Sequence, residues 1–272
     1  MTKKRRNTIL ISWGVLLVLI IIGIIVTGNG HGNTETLSEA MRDAVLHEEN
    51  VISLFGIKNV NPAFISGMMV TAILLIFAAV VRIFVIPKFK YVPGKFQLVI
   101  EMAVGFFDNL AKSNSPHRNK FLGAYIFGAG SYIFIGTLFE LMGFQVTAVN
   151  GNTIALPAPL SDINAAISLG CLSYLVIMSG GIAENKFRGV TSTLKEFSLP
   201  ISMSFRLFGA LLSGLLVTEL VYYSLSLSFV LPVAVAILFT LLHAIIQTYV
   251  LTLLTAIYYG EVSEPHQKKL KN

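Results

Sequence analysis

LPISMSFRLFGALLSG, Leu199 to Gly214, is the stretch that decides how this chain must fold. It sets one arginine, Arg206, inside an apolar segment that runs on through Leu215, Leu216, Val217, Leu220 and Val221. A guanidinium cannot shed its proton at any accessible pH, so the segment carries a permanent cation into whatever surroundings it enters. On insertion scales a mid-helix arginine costs about 2.5 to 3.5 kcal/mol, and a charge at such depth requires a partner. At about 3.6 residues per turn, Arg206 shares a helical face with Ala210, Ser213, Gly214 and Val217, mostly small side chains that would let a second helix approach closely. A competing reading makes the strip ordinary helix packing and lets the long side chain snorkel to a headgroup.

The rest of the chain has the same character. Of its 272 residues 54% are hydrophobic and 12% charged, which excludes an ordinary soluble domain and predicts an all-α polytopic membrane protein. Lys and Arg outnumber Asp and Glu by 20 to 14, an excess expected of cytoplasm-facing loops, so it needs no nucleic acid to explain it. There is no Walker-type glycine loop, nucleophile elbow or zinc-spaced His/Cys set, and His31, His47, His117, His243 and His266 are scattered. No catalytic site, cofactor or metal is expected on this chain. The lone Cys171 excludes an intrachain disulfide and is expected as a buried small hydrophobe.

Basic Lys3, Lys4, Arg5 and Arg6 precede Thr8 to Thr27, an apolar run long enough to cross a hydrocarbon core. The expectation is a retained anchor with a cytoplasmic start, against a cleaved signal peptide as its rival. Gly28 to Pro62 is polar and reads as external, with a short surface helix over Ala40 to Glu49. Residues 1–62 then make an N-terminal unit, 63–260 the membrane domain and 261–272 a basic cytoplasmic tail.

Within the membrane domain, Ala63 to Ile86 spans inward toward Lys88, Lys90 and Lys95. Phe96, Ile100, Val104, Phe107 and Leu110 recur every three or four residues and predict an interfacial amphipathic helix over Lys95 to Lys112. Ser113 to Lys120 is a short inner loop, Phe121 to Gly143 goes out, and Phe144 to Ser161 is an external loop without Lys or Arg. Ile163 to Ile182 returns, and Glu184 to Glu196 is an inner loop. Leu199 to Leu227 and Phe229 to Tyr259 finish the domain as a long tilted hairpin bent near Pro232. The count is about five spanning helices plus the anchor.

Polar residues punctuate these spans. Glu140 near the outer end of one span, with Asp162 and Asn164 opening the next, should gather at one external mouth. Taken singly, Glu140 also fits a headgroup-level carboxylate and Asp162 a helix N-cap. On the last span Thr240, His243 and Gln247 share a face, with Ala244, Thr248, Thr252 and Thr255 alongside. Gln247 read plainly is an interhelical hydrogen bond worth about 0.6 kcal/mol.

SFRLFG, Ser204 to Gly209, followed by IQTYVLTLLTAIYY, Ile246 to Tyr259, resembles subunit a of the rotary F-type ATP synthase. So do VPGKFQLVIEMAVGF, Val92 to Phe106, and the pair FELMG, Phe139 to Gly143, with LSDINAAISL, Leu160 to Leu169. The similarity spans Ala63 to about Tyr259 in the family's order and spacing. It implies that Arg206 is the essential ring-facing arginine, Gln247 the glutamine beside it, and Glu140, Asp162 and Asn164 the lining of an outer access channel. The implied function is a stator subunit with two offset half-channels that load and unload the carboxylates of the c-subunit ring, coupling H⁺ or Na⁺ flow to rotation and ATP synthesis. Implied partners are that ring, the peripheral-stalk b subunits, the remainder of the F-type ATP synthase and membrane lipid, with no nucleic acid. The expected location is a bacterial plasma membrane with both termini cytoplasmic.

The chain also departs from the family pattern. Ala210 stands where bacterial relatives usually have Asn, and Leu215 where many have an acid or histidine. Glu219 and His243, each about one turn from the family's polar positions, read as a relocated channel pair. Two other classes compete: a secondary transporter, which would work alone in a liposome, and a structural subunit with a decayed channel.

Overall fold

A computed structural model describes residues 52–54, 57–147, 149, 153–223 and 231–265, together with Gly14, Val15, Val18 and Ile22. The greater part of the expected anchor, the surface helix over Ala40 to Glu49 and the tail from His266 lie outside the described residues. β1 (Ile52–Leu54) pairs antiparallel with β2 (Ile57–Val60). Asn61 then starts α1 (Pro62–Val80): its Oδ1 accepts the Ala63 N–H at 2.9 Å, and Pro62 fills a first-turn position where its missing N–H costs nothing. A π turn (Val81–Val85) and a 3-10 turn (Ile86–Lys88) carry that helix to the first lysine.

α2 (Lys95–Asn114) and α3 (Asn119–Phe139) follow, α3 prolonged by the 3-10 turn Glu140–Met142. α4 is Ile163–Lys195, α5 Ser198–Tyr223 and α6 Leu231–Ser263. Pro232 sits in the first turn of α6, the one place a helix tolerates proline freely. Pro62–Lys88, Asn119–Met142, Ile163–Lys195 and Ile237–Ser263 are each long and apolar enough to cross a membrane. The expected amphipathic helix is α2, with Phe107 and Ala111 turned into the core.

The core lies where α3, α4, α5 and α6 meet, around Leu122, Ile126, Ile133, Ile177, Leu207, Leu251 and Tyr259. Glycines set how closely these helices approach. A methyl group at Gly180 on α4 would lie 2.5 Å from the Tyr259 ring of α6, and one at Gly130 on α3 would meet the Phe107 ring at 2.7 Å. Without a hydrophobic drive between helices in lipid, such close backbone packing is the main source of cohesion. α1 and the π turn after it do the opposite and present Leu75, Ile76 and Ile83 outward, each more than 60% exposed, as suits a helix solvated by hydrocarbon.

Several expectations are corrected. The loop Phe144 to Ser161, expected to be external and without regular structure of its own, contains an antiparallel pair, β3 (Gln145–Thr147) with β4 (Thr153–Ala155), and a 3-10 turn at Pro159–Ser161. Cys171 is exposed, because α4 turns Ala166, Gly170, Ser173 and Ile177 inward and residue 171 falls one step around the helix from that face.

The expected inner loop Glu184 to Glu196 is helical and folds back on the helix before it. Lys186 breaks α4 with φ 50° and ψ −127°, a backbone setting that costs a side-chain-bearing residue about 1–3 kcal/mol. Beyond it, Tyr174 Oη donates to the Thr193 carbonyl at 3.0 Å across nineteen residues, and the backbones of Gly181 and Gly189 touch. A straight helix would hold residues that far apart by about 28 Å. The reversal is held by Asn185, whose amide donates to the carbonyls of Val262 and Glu264 at 3.0 and 2.9 Å, and by the Arg118–Glu184 pair at 3.4 Å.

Candidate functional site

α5 is fastened to the core by Met203, Ser204, Leu207 and Leu211, all buried. Gly170 of α4 accepts the Ser204 side chain against its backbone, and Ser204 Oγ itself donates to the Pro200 carbonyl at 2.6 Å. With that face committed, Ser202, Phe205, Arg206, Gly209 and Ser213 form an exposed stripe on the other side. Ala210 and Gly214 are partly covered, so the open strip is rotated slightly from the face expected by counting turns. Among the described residues no carboxylate or hydrogen-bond acceptor meets Arg206. Any partner for its charge therefore lies off the described part of this chain.

α6 presents two kinds of polar residue. Thr252 and Thr255 are fully buried and turn their hydroxyls back on their own helix, Thr252 Oγ1 to the Thr248 carbonyl at 2.7 Å and Thr255 Oγ1 to Leu251 at 2.8 Å. Their protons are satisfied within the helix and, being fully buried, these hydroxyls reach no open path. Gln247 differs: it is 7% exposed, yet its amide makes no hydrogen bond among the described residues. His243 is half-buried, with its ring 5.9 Å from that of Phe239 and beside Gly214 of α5. The Glu219 side chain lies outside the described residues, while Thr240 is half-buried.

Glu140, Asp162 and Asn164 come to one end of the bundle. Pro159 wedges between Gly67 of α1 and Gly136 of α3, and Glu140 follows Gly136 by one turn while Asp162 follows Pro159 by three residues. Glu140 opens the 3-10 turn that stops at Gly143, which takes the left-handed conformation with φ 62°. Its carboxylate is partly buried and has no partner among the described residues.

Asp162 is fully engaged: it caps α4, Oδ1 accepting the N–H of Asn164 at 2.6 Å and of Ala165 at 3.4 Å, while Oδ2 accepts from Asn61 Nδ2. Asn164 is exposed beside it. Sequence reasoning missed Asn61. The Asn-Pro pair at 61–62 is a helix-start signal that could have marked it, but nothing local could reveal a bond across 101 residues.

The family model of the ATP synthase A chain matches residues 64–260, which takes in α1 through nearly all of α6 and includes Glu140, Asp162, Arg206 and Gln247. The chain accordingly belongs to the ATP synthase A chain family, that of the ion-translocating membrane subunit a of the F-type ATP synthase.

Proposed function

We propose that this chain is the stator of the rotary membrane motor, supplying two offset half-channels that load and unload the c-ring carboxylates and so couple H⁺ or Na⁺ flow to rotation and ATP synthesis. One observation carries the reading: Arg206 is exposed and unpaired among the described residues, on a helix whose opposite face is locked into the core. A cation so placed suits a partner that moves past it. It favours the ionised form of each approaching acid, as a nearby positive charge does, and opposes a direct leak of cations. Because guanidinium keeps its proton, it cannot itself relay one.

In this reading Glu140, Asp162 and Asn164 line the outer approach, and Glu219 with His243 continues it inward. The contact of His243 with Gly214 supports that path, since a glycine leaves room beside the ring. Pairing α5 and α6 as an antiparallel hairpin then sets Gln247 opposite Ala210, one turn from Arg206. α5 counts as the fifth span, and lipid and the b subunits cover the outward apolar face of α1. The surrounding membrane is a bacterial plasma membrane with both termini cytoplasmic, and residues 1–62 and 261–272 flank the ion-translocating domain.

Replacing His243 or Glu219 by leucine is expected to lower gradient-driven ion flow by at least about tenfold, equivalent to roughly 1.4 kcal/mol on the limiting barrier. Normal flow in either variant would remove the pair from the path. The function itself is tested by purification and reconstitution. The chain should come out bound to a ring of small, carboxylate-bearing helical hairpins, and should be silent when placed alone in liposomes. Transport by the isolated chain would favour a secondary transporter instead.

A further inference from the structure

The outer mouth holds two acids in different situations. Asp162 has both oxygens occupied, one by the N–H groups of Asn164 and Ala165 at the start of α4, the other by the amide of Asn61. Asn61 is itself committed, its Oδ1 capping α1 through the Ala63 N–H at 2.9 Å. One side-chain hydrogen bond thus ties the N-terminus of α1 to the N-terminus of α4. Glu140, one turn beyond the Pro159 wedge between α1 and α3, has a carboxylate with no partner among the described residues. An acid that must take up and release an ion is poorly suited to be the obligate acceptor for three donors, because each uptake would compete for the oxygen lone pairs that hold the Asn164 and Ala165 N–H groups and the Asn61 amide.

We propose that Asn61 is a positioning residue: it clamps Asp162 as a fixed acceptor joining two helix starts, shapes the outer mouth, and leaves Glu140 as the acid there that exchanges the coupling ion. This deepens the half-channel reading given above and rests on it. Asn61 precedes the residues matched by the family model.

The hydrogen-bond directions prescribe the test. In Asp162→Asn alone, two amide nitrogens face each other, and turning either amide to relieve the clash removes that residue's own helix cap. In Asn61→Asp alone, two carboxylates oppose. In the exchange Asn61→Asp with Asp162→Asn, every group is satisfied again: the carboxylate now at position 61 caps Ala63 and accepts from the amide now at position 162, whose oxygen still caps α4. The measurement is gradient-driven ion flow through the assembled ATP synthase in vesicles, with protons and with sodium separately, together with the ion concentration on the outer side that gives half-maximal flow.

Each single substitution is expected to lower flow by roughly tenfold, and the exchange to recover it to within about threefold with an unshifted half-maximal concentration. Glu140→Gln should lose flow and not be rescued by the exchange. Asn61→Ser, which keeps a cap for α1 but is too short for Asp162, should weaken flow without blocking assembly. An exchanged protein that assembles but stays inactive would show that a carboxylate is needed at 162 itself and overturn the proposal. So would an exchanged protein that fails to assemble when the singles do, or single variants with normal flow. Loss of the parent reading looks different: Arg206→Ala would then synthesise ATP normally, whatever the exchange did.

Discussion

Arg206→Ala abolishes gradient-driven ATP synthesis while the assembled complex persists. The second half of that expectation follows from where the side chain sits. Arg206 lies on the open stripe of α5 with Phe205 and Ser213, away from Met203, Leu207 and Leu211, so trimming it leaves no cavity in the core and strands no internal partner. Removing an unpaired exposed charge from a membrane helix should, if anything, ease insertion by about 2.5 to 3.5 kcal/mol. The first half follows from the work the cation performs. Each charge moved through about 100 mV carries roughly 2.3 kcal/mol, so several passages must be summed for one ATP and every uncoupled passage is lost. Arg206→Lys is expected to fail nearly as completely, because an ammonium in an apolar contact can go neutral and pass its proton on. Synthesis in inverted vesicles, measured beside passive ion permeability and the amount of assembled complex, checks this. A variant with normal synthesis would end the assignment of Arg206 as the ring-facing cation.

What could be read from the chain by eye is what depends on one segment at a time. The spans over Ala63 to Ile86 and Phe121 to Gly143 are legible because a bilayer demands a minimum apolar length, and Phe96 to Leu110 because period 3.6 needs only a short window. Arg206 was legible because a charge that cannot be discharged stands out in any apolar run. Contacts between distant segments were not. The charges Glu184, Lys186, Arg188 and Lys195 suggest a loop, whereas the helix continues and reverses because Asn185 and Arg118 bind it to the end of the bundle formed by Val262 and Glu264. The apolar neighbours of Cys171 point it inward, yet it is exposed. In a membrane apolarity marks both faces of a helix, so only the small residues Ala166, Gly170 and Ser173 identify the packed one. The threonines alongside Gln247 on α6 divide in the same way: Thr252 and Thr255 are fully buried and donate within their own helix, leaving Gln247 as the less committed group.

Gly260→Ala should cost the chain both its assembly and its activity. A methyl group at 260 would overlap the carbonyl oxygen of Asn114 at the end of α2, and a backbone carbonyl cannot rotate away as a side chain could. Alanine gains about 1 kcal/mol of helix propensity over glycine, but overpacking costs about 1–3 kcal/mol or more, so the unfavourable term wins. Sliding α6 is opposed from two sides, since Tyr259 is seated against Gly180 and Asn185 holds the Val262 and Glu264 carbonyls, while Ser263 meets His117 Nε2 at 3.0 Å. If α6 does give way, Gln247 and His243 move with it, and a misplacement of about 1 Å in a site of this kind can cost on the order of 100-fold in rate. Gly128→Ala is the matched comparison, because a methyl group there meets open space within α3, so it should leave assembly and activity intact and shift stability only by the favourable helix-propensity term of up to about 1 kcal/mol. The amounts of assembled complex and the ATP synthesis rates of the two variants decide the matter. Wild-type values in Gly260→Ala would mean that the inner end of α6 is not seated on α2 when the subunit works.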